Sequence, residues 1–134
     1  MIMSNGNIIV KSKLVQLIES FCENNKEVVL VSLCTTDGFP IKYLSTDELN
    51  AEADKLAAIS STISALSDFS SRQMNKGQCD ITIIESTSGN MLFVKAIYLG
   101  TPCVLTVVAN MKMNLAAARY KTKKLSQDFS SIPE

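Results

Sequence analysis

Apolar positions recur along the chain with two different periods, and the switches between them mark out the elements. Val10, Leu14, Leu17, Ile18 and Phe21 follow the i, i+4, i+7, i+8 spacing of an amphipathic helix over residues 10–22. Asn24-Asn25 is its expected stop, because Asn tolerates a left-handed cap. Val28-Val29-Leu30-Val31-Ser32-Leu33 is apolar at both alternating positions, which predicts a strand covered on both sides. After the turn signal Thr36-Asp37-Gly38, residues 39–44 alternate, with Pro40 and Lys42 on one side. Proline donates no ladder hydrogen bond, so this second strand is expected at a sheet edge, hairpinned to the first.

Ser45-Thr46-Asp47-Glu48 matches a capping box, with Ser45 as cap and Glu48 reaching back. It predicts a long helix to about Asn75, ended by Gly77. At 100° steps Leu49, Leu56, Ile59, Ile63, Leu66 and Met74 form a wide apolar stripe. Beside it Ala57, Ser60, Ser64 and Ser67 recur at i, i+3, i+7, i+10. Small residues at that spacing let another backbone approach closely: either the chain's own sheet or the same helix of a second copy. Ala58, Ala65 and Phe69 lie on a further face, where Phe69 is exposed in a monomer unless a partner covers it. Arg72 falls on the polar side of the helix.

Cys79-Asp80-Ile81-Thr82-Ile83-Ile84 is a β-branched run, and turns at Ser88-Gly89-Asn90 and Gly100-Thr101-Pro102 lead into strands at residues 91–97 and 103–108. These three strands read as an antiparallel meander. The last is apolar on both faces and therefore central; the first lacks Pro and Lys, so as a sheet edge it would be unprotected and open to a partner strand through Cys79, Ile81 and Ile83. A final helix is expected from a cap near Asn110, with Met111, Leu115, Ala118, Leu125 and Phe129 on its apolar face. The order is α-β-β-α-β-β-β-α. Two central strands apolar on both faces require helices on both sides, the middle helix on one and the two terminal helices on the other. Residues 1–134 are expected to form one domain, with 1–7 and 128–134 as frayed tails.

Charge and composition narrow the chemistry. Lys+Arg and Asp+Glu both number 13, so there is no electrostatic reach towards nucleic acid or an anionic membrane, and little net repulsion against self-association. Cys22, Cys34, Cys79 and Cys103 form no C-x-x-C pair, there is no His, and each Cys sits in an apolar stretch as a small hydrophobe. The first residues are not a basic segment followed by an apolar run, and no stretch approaches the ~20 apolar residues of a membrane span. A cytoplasmic protein with reduced thiols and no membrane insertion is expected. No phosphate-binding loop is present, and without His the commonest general base is missing. The carboxylates Asp47, Glu48, Glu52 and Asp54 gather where a helix start favours them. No catalytic residue, metal or cofactor is expected, and the chain reads as a protein-binding domain rather than an enzyme.

The assembled residues resemble a known family. Residues 33–41, Leu-Cys-Thr-Thr-Asp-Gly-Phe-Pro-Ile, look like the "hydrophobic strand, D-G-x-P-I" hairpin of roadblock domains, the dynein-light-chain or MglB-like proteins. Residues 52–59 resemble the start of that family's middle helix, residues 91–94 and 104–108 its fourth and fifth strands, and Asn114-Leu115 the Asn-Leu that opens its last helix. Ala116 departs from the Gly that often follows, and the middle helix is unusually rich in serine. The resemblance spans about residues 8–127. It implies a profilin-like three-layer α/β/α sandwich whose five-stranded, mostly antiparallel sheet has the order 2-1-5-4-3. It also implies a homodimer in which third strands pair edge to edge and middle helices pack alongside. Ala57, Ser60, Ser64, Ser67, Cys79, Ile81 and Ile83 would then form the dimer interface, and Ala58, Ala65, Phe69 and Arg72 would face a partner. The family further implies a regulator of a small Ras-like GTPase of the MglA type, or alternatively a structural adaptor; a small-molecule sensor is the third reading.

Overall fold

The structure is a computed structural model, and it describes residues 8–46 and 52–134. Among them three helices and five strands alternate as α1 (Ser12–Asn24), β1 (Val28–Thr35), β2 (Pro40–Ser45), α2 (Ala53–Asn75), β3 (Ile81–Ser86), β4 (Gly89–Tyr98), β5 (Thr101–Asn110) and α3 (Leu115–Ser130). The strands form one antiparallel sheet in the order β2-β1-β5-β4-β3. The two strands apolar on both faces, β1 and β5, are its centre, and the strand that begins at Pro40 is an edge. This is the profilin-like three-layer sandwich that the family resemblance implies.

Register sets the two faces. Val31 lies opposite Val107, which lies opposite Leu92, and these three join Leu14 and Ile18 of α1 and Ala118, Leu125 and Phe129 of α3 in the larger core. On the other face Cys34, Phe93 and Val104 pack with Ala57 of α2 in a smaller one. Tyr98 pins the first layer: its buried hydroxyl donates to the Ile9 carbonyl at 2.7 Å and accepts from the Lys11 N–H at 2.9 Å, holding the entry to α1 against β4.

Several boundaries differ from the expectation, each for a local reason. Val10 precedes α1 and is exposed. Asn25 caps that helix through its side chain, Nδ2 donating to the Phe21 carbonyl at 2.8 Å, and its φ of −136° is not left-handed. Ser45 ends β2 instead of capping α2, because its backbone pairs with Leu30 of β1. The helix begins later, at Ala53, behind Glu52, whose side chain makes no capping bond. Asp47, Glu48 and Leu49 lie outside the described residues. At the other end Lys76, not Gly77, takes the left-handed conformation, with φ 54°. Asn110 ends β5, and Asn114 caps α3 by accepting from the Ala117 N–H at 3.1 Å. Met111 is accordingly outside the helix and exposed. Near the C-terminus Phe129 and Ile132 are buried, and the Lys11 ammonium donates to the backbone oxygens of Pro133 and Glu134 at 2.7 Å each.

Candidate interaction surface

The middle helix is built inside out. Its sheet-facing side is small and hydroxylic. Ala57 and Ser60 are buried, and Ser60 Oγ accepts a 2.7 Å hydrogen bond from Thr106 Oγ1 of β5. A buried hydroxyl pair of that kind satisfies itself and needs no water. Ser64 and Ser67 are half-buried along the same side. The apolar stripe, which a sheet-packed helix ordinarily buries, turns outward instead. Ile59 is 54% exposed, Leu66 61%, Phe69 63% and Met74 87%, while Leu56 and Ile63 are half-buried at its margin. Ala58 and Ala65 are exposed beside it. Four large exposed apolar side chains on 16 consecutive residues exceed the scattered apolar exposure of an ordinary surface.

Of the two roles open to the small-residue row, packing on the chain's own sheet is the one Ala57 and Ser60 fill. Ala57 and Ser60 are spent on the chain's own sheet and have no surface left for a second copy. Ala58, Ala65, Phe69 and Arg72 do lie together on the outer side. Ile59, Leu66 and Met74, read from the sequence only as part of an apolar stripe, belong with them. The signal that could have separated the two faces is the Ser/Thr content of β1 and β5: Ser32 and Thr106, directly opposite each other, form a polar patch that only a hydroxylic helix face could match.

An ion cluster holds the far half of α2 in place. Asp68 pairs with Lys95 of β4 at 2.7 Å and with Arg72 at 3.1 Å. The hydrogen bond from Lys95, supported by the charges of Lys95 and Arg72, holds the Asp68 carboxyl below its ordinary value. Arg72 is thus engaged within its own helix.

The strand edge adjoins this half of the helix. Among the described residues β3 pairs only with β4, from Ile81 opposite Val94 to Ser86 opposite Gly89. Its sequence contains neither Pro nor Lys. The side chains of Ile81 and Ile83 pack against the larger core, so what β3 presents to a partner is its backbone. Cys79 stands just before the strand, half-buried, with Sγ 3.4 Å from Thr82 Oγ1. Asp80 anchors the entry to the strand by accepting from Lys123 at 2.7 Å and Arg119 at 3.4 Å, both on α3.

The cysteines behave as packing groups. Burial pushes the Cys34 thiol up to about 11 and the Cys103 thiol up to about 12, so both stay protonated at neutral pH. Among the described residues no cluster of His, Cys, Asp or Glu could hold a metal ion, and no helix is long and apolar enough to cross a membrane.

The arrangement has solved counterparts. The gliding protein MglB of Thermus thermophilus overlays with a TM-score of 0.77 at 12% identity, covering 92% of this chain and 93% of that one. A roadblock/LC7 domain from Streptomyces avermitilis overlays at 0.71 and 18% identity, covering 84% and 90%. This chain has the roadblock fold. A chain of a LokiProfilin2–rabbit actin complex overlays at 0.62 and 13% identity, covering 92% and 100%, which places the roadblock fold here within the wider profilin-like architecture. No family model and no curated protein matches the sequence. At these identities the likeness establishes the fold, and function has to be argued from the surface.

Proposed function

We propose that the protein is a non-catalytic, homodimeric, protein-binding roadblock domain that regulates a small Ras-like GTPase of the MglA type by stabilising one state of its switch regions. The observation that carries this reading is the outward apolar face of α2 beside an unprotected edge strand. An exposed helix face and an unpaired strand edge on the same side of the fold suit a two-fold contact, in which each copy covers the other. The fold shared with MglB supports a GTPase as the partner. Regulation requires only that the dimer bind one nucleotide state better than the other. An arginine finger is disfavoured, because Arg72 would have to abandon Asp68 to reach a nucleotide. The GTPase would then supply its own catalytic groups.

The adaptor reading rests on that same engaged arginine, which Asp68 holds along its own helix. It differs in one measurable way, since an adaptor binds its partner whichever nucleotide is loaded. The sensor reading has less support, as five concavities among the described residues, of about 260–340 Å³, are open surface grooves. The deciding experiment is size-exclusion chromatography with light scattering, with an MglA-type GTPase loaded with GDP or a GTP analogue. Co-elution of a dimer with one state supports the regulator. Equal co-elution in both states moves the assignment to an adaptor, and a monomer in all conditions overturns the dimer.

A further inference from the structure

The opposite layer carries a second surface that the proposed dimer leaves free. α1 and α3 lie side by side on the face of the sheet away from α2. Between them runs a groove made of two adjoining concavities, of about 290 and 270 Å³, which share Leu17 and Asp128. Its floor is apolar: Leu17 and Phe21 of α1 are half-buried and Leu125 of α3 is buried. Tyr120, 70% exposed, stands on the rim.

The charge on the rim is net positive. Lys13, Lys121 and Lys124 line the groove, and the single carboxylate there, Asp128, is already paired with Lys124 at 2.7 Å. Lys121 Nζ donates to Asn25 Oδ1 at 2.7 Å, a neutral partner that leaves its charge uncompensated. Three cations against one carboxylate stand out on a chain whose net charge is zero. From Lys13 to Asn24 the α1 wall is about 18 Å long at ~1.5 Å per residue, the length of about three helical turns.

We infer that the α1–α3 groove docks an acidic amphipathic helix of a protein partner, its apolar stripe on Leu17, Phe21 and Leu125 and its carboxylates facing Lys13, Lys121 and Lys124. Charge complementarity fixes the sign of the partner and the recessed apolar floor fixes its shape. A bilayer is flat and cannot reach a floor sunk between two helices. A nucleic acid would leave that floor uncovered.

The test uses the full chain and three stapled peptides of about 14 residues, long enough for some four turns. They share one apolar stripe and carry acidic, neutral or basic residues on the rest of the helix. Fluorescence anisotropy should show the acidic peptide binding at least about tenfold more tightly than the basic one, weakening as salt rises. The double variant Lys121→Glu, Lys124→Glu should remove or reverse that order. Tyr120→Ala, which alters an exposed side chain and leaves the core untouched, should weaken the acidic peptide while the thermal midpoint holds. No preference for the acidic peptide overturns the inference, as does a preference unchanged in the double variant. Tighter binding to phosphatidylserine vesicles or to a single-stranded oligonucleotide than to the acidic peptide also overturns it.

Discussion

Phe69 offers the sharpest test of the outward face of α2. Its side chain is 63% exposed in the isolated chain, and an aromatic side chain can bury roughly 200 Å² in all, so roughly 130 Å² awaits cover. At about 25 cal/mol per Å² that area corresponds to about 3 kcal/mol. A two-fold interface contains the residue twice, which raises the figure to about 6 kcal/mol for the dimer. Association and side-chain ordering consume much of such a gain, and if about half survives, removal costs about 3 kcal/mol. The dimer dissociation constant of Phe69→Glu should therefore rise by about 100-fold or more. Because the side chain is exposed, the variant monomer should keep the wild-type circular dichroism and unfold cooperatively. Sedimentation velocity over a dilution series reads the constant directly. A folded Phe69→Glu protein that dimerises with the wild-type constant would refute the assignment, as would a wild type that stays monomeric at every concentration reached.

Three further outcomes follow from single positions. Gly89 has φ 146°, and a Cβ there would collide with the Ala109 carbonyl oxygen and come within 2.9 Å of the Asn110 Cα, so Gly89→Ala should cost more than about 2 kcal/mol in urea unfolding. Thr122 is fully buried in α3 and its hydroxyl has no partner among the described residues, so Thr122→Val, which keeps the shape and removes the orphaned group, should stabilise by about 1 kcal/mol in the same assay. The Asp68 carboxyl titrates below its ordinary 3.8, so the unfolded chain binds the proton more readily. Its contribution is present above that value and disappears as the pH falls through the lowered one. The difference in thermal midpoint between wild type and Asp68→Asn should be constant from about pH 5 to 8 and shrink below about pH 4; a difference that grows on acidification would contradict the ion cluster.

The order of elements was legible because each carries its own period. β1 and β5 declare themselves central by carrying apolar residues on both faces, which a doubly covered strand requires. Pro40 declares an edge because it lacks a donor. The candidate surface was legible only in part. Ala58, Ala65 and Phe69, placed on one face by helical angle, and Arg72, placed on the polar side, are all exposed, but Ala57 and Ser60 were left between two roles and Ile59, Leu66 and Met74 were not assigned to the outer side. Periodicity locates the faces of a helix without saying which one meets the sheet. The same ambiguity moved the start of α3, where Asn110 and Asn114 are both good caps and only the extent of β5 chooses between them.

What the sequence by itself determined, then, is the run of strands and helices, the central and edge positions in the sheet, and the need for helices on both sides. These depend on local pattern and on the rule that apolar surface must be covered. Tertiary structure alone decided which side of α2 is the inside. There Thr106 Oγ1 donates to Ser60 Oγ across the layer, so the small polar side packs while Leu66 and Phe69 on the large apolar side stay exposed. That choice depends on atoms 46 residues apart in the chain, which no window along the sequence brings together.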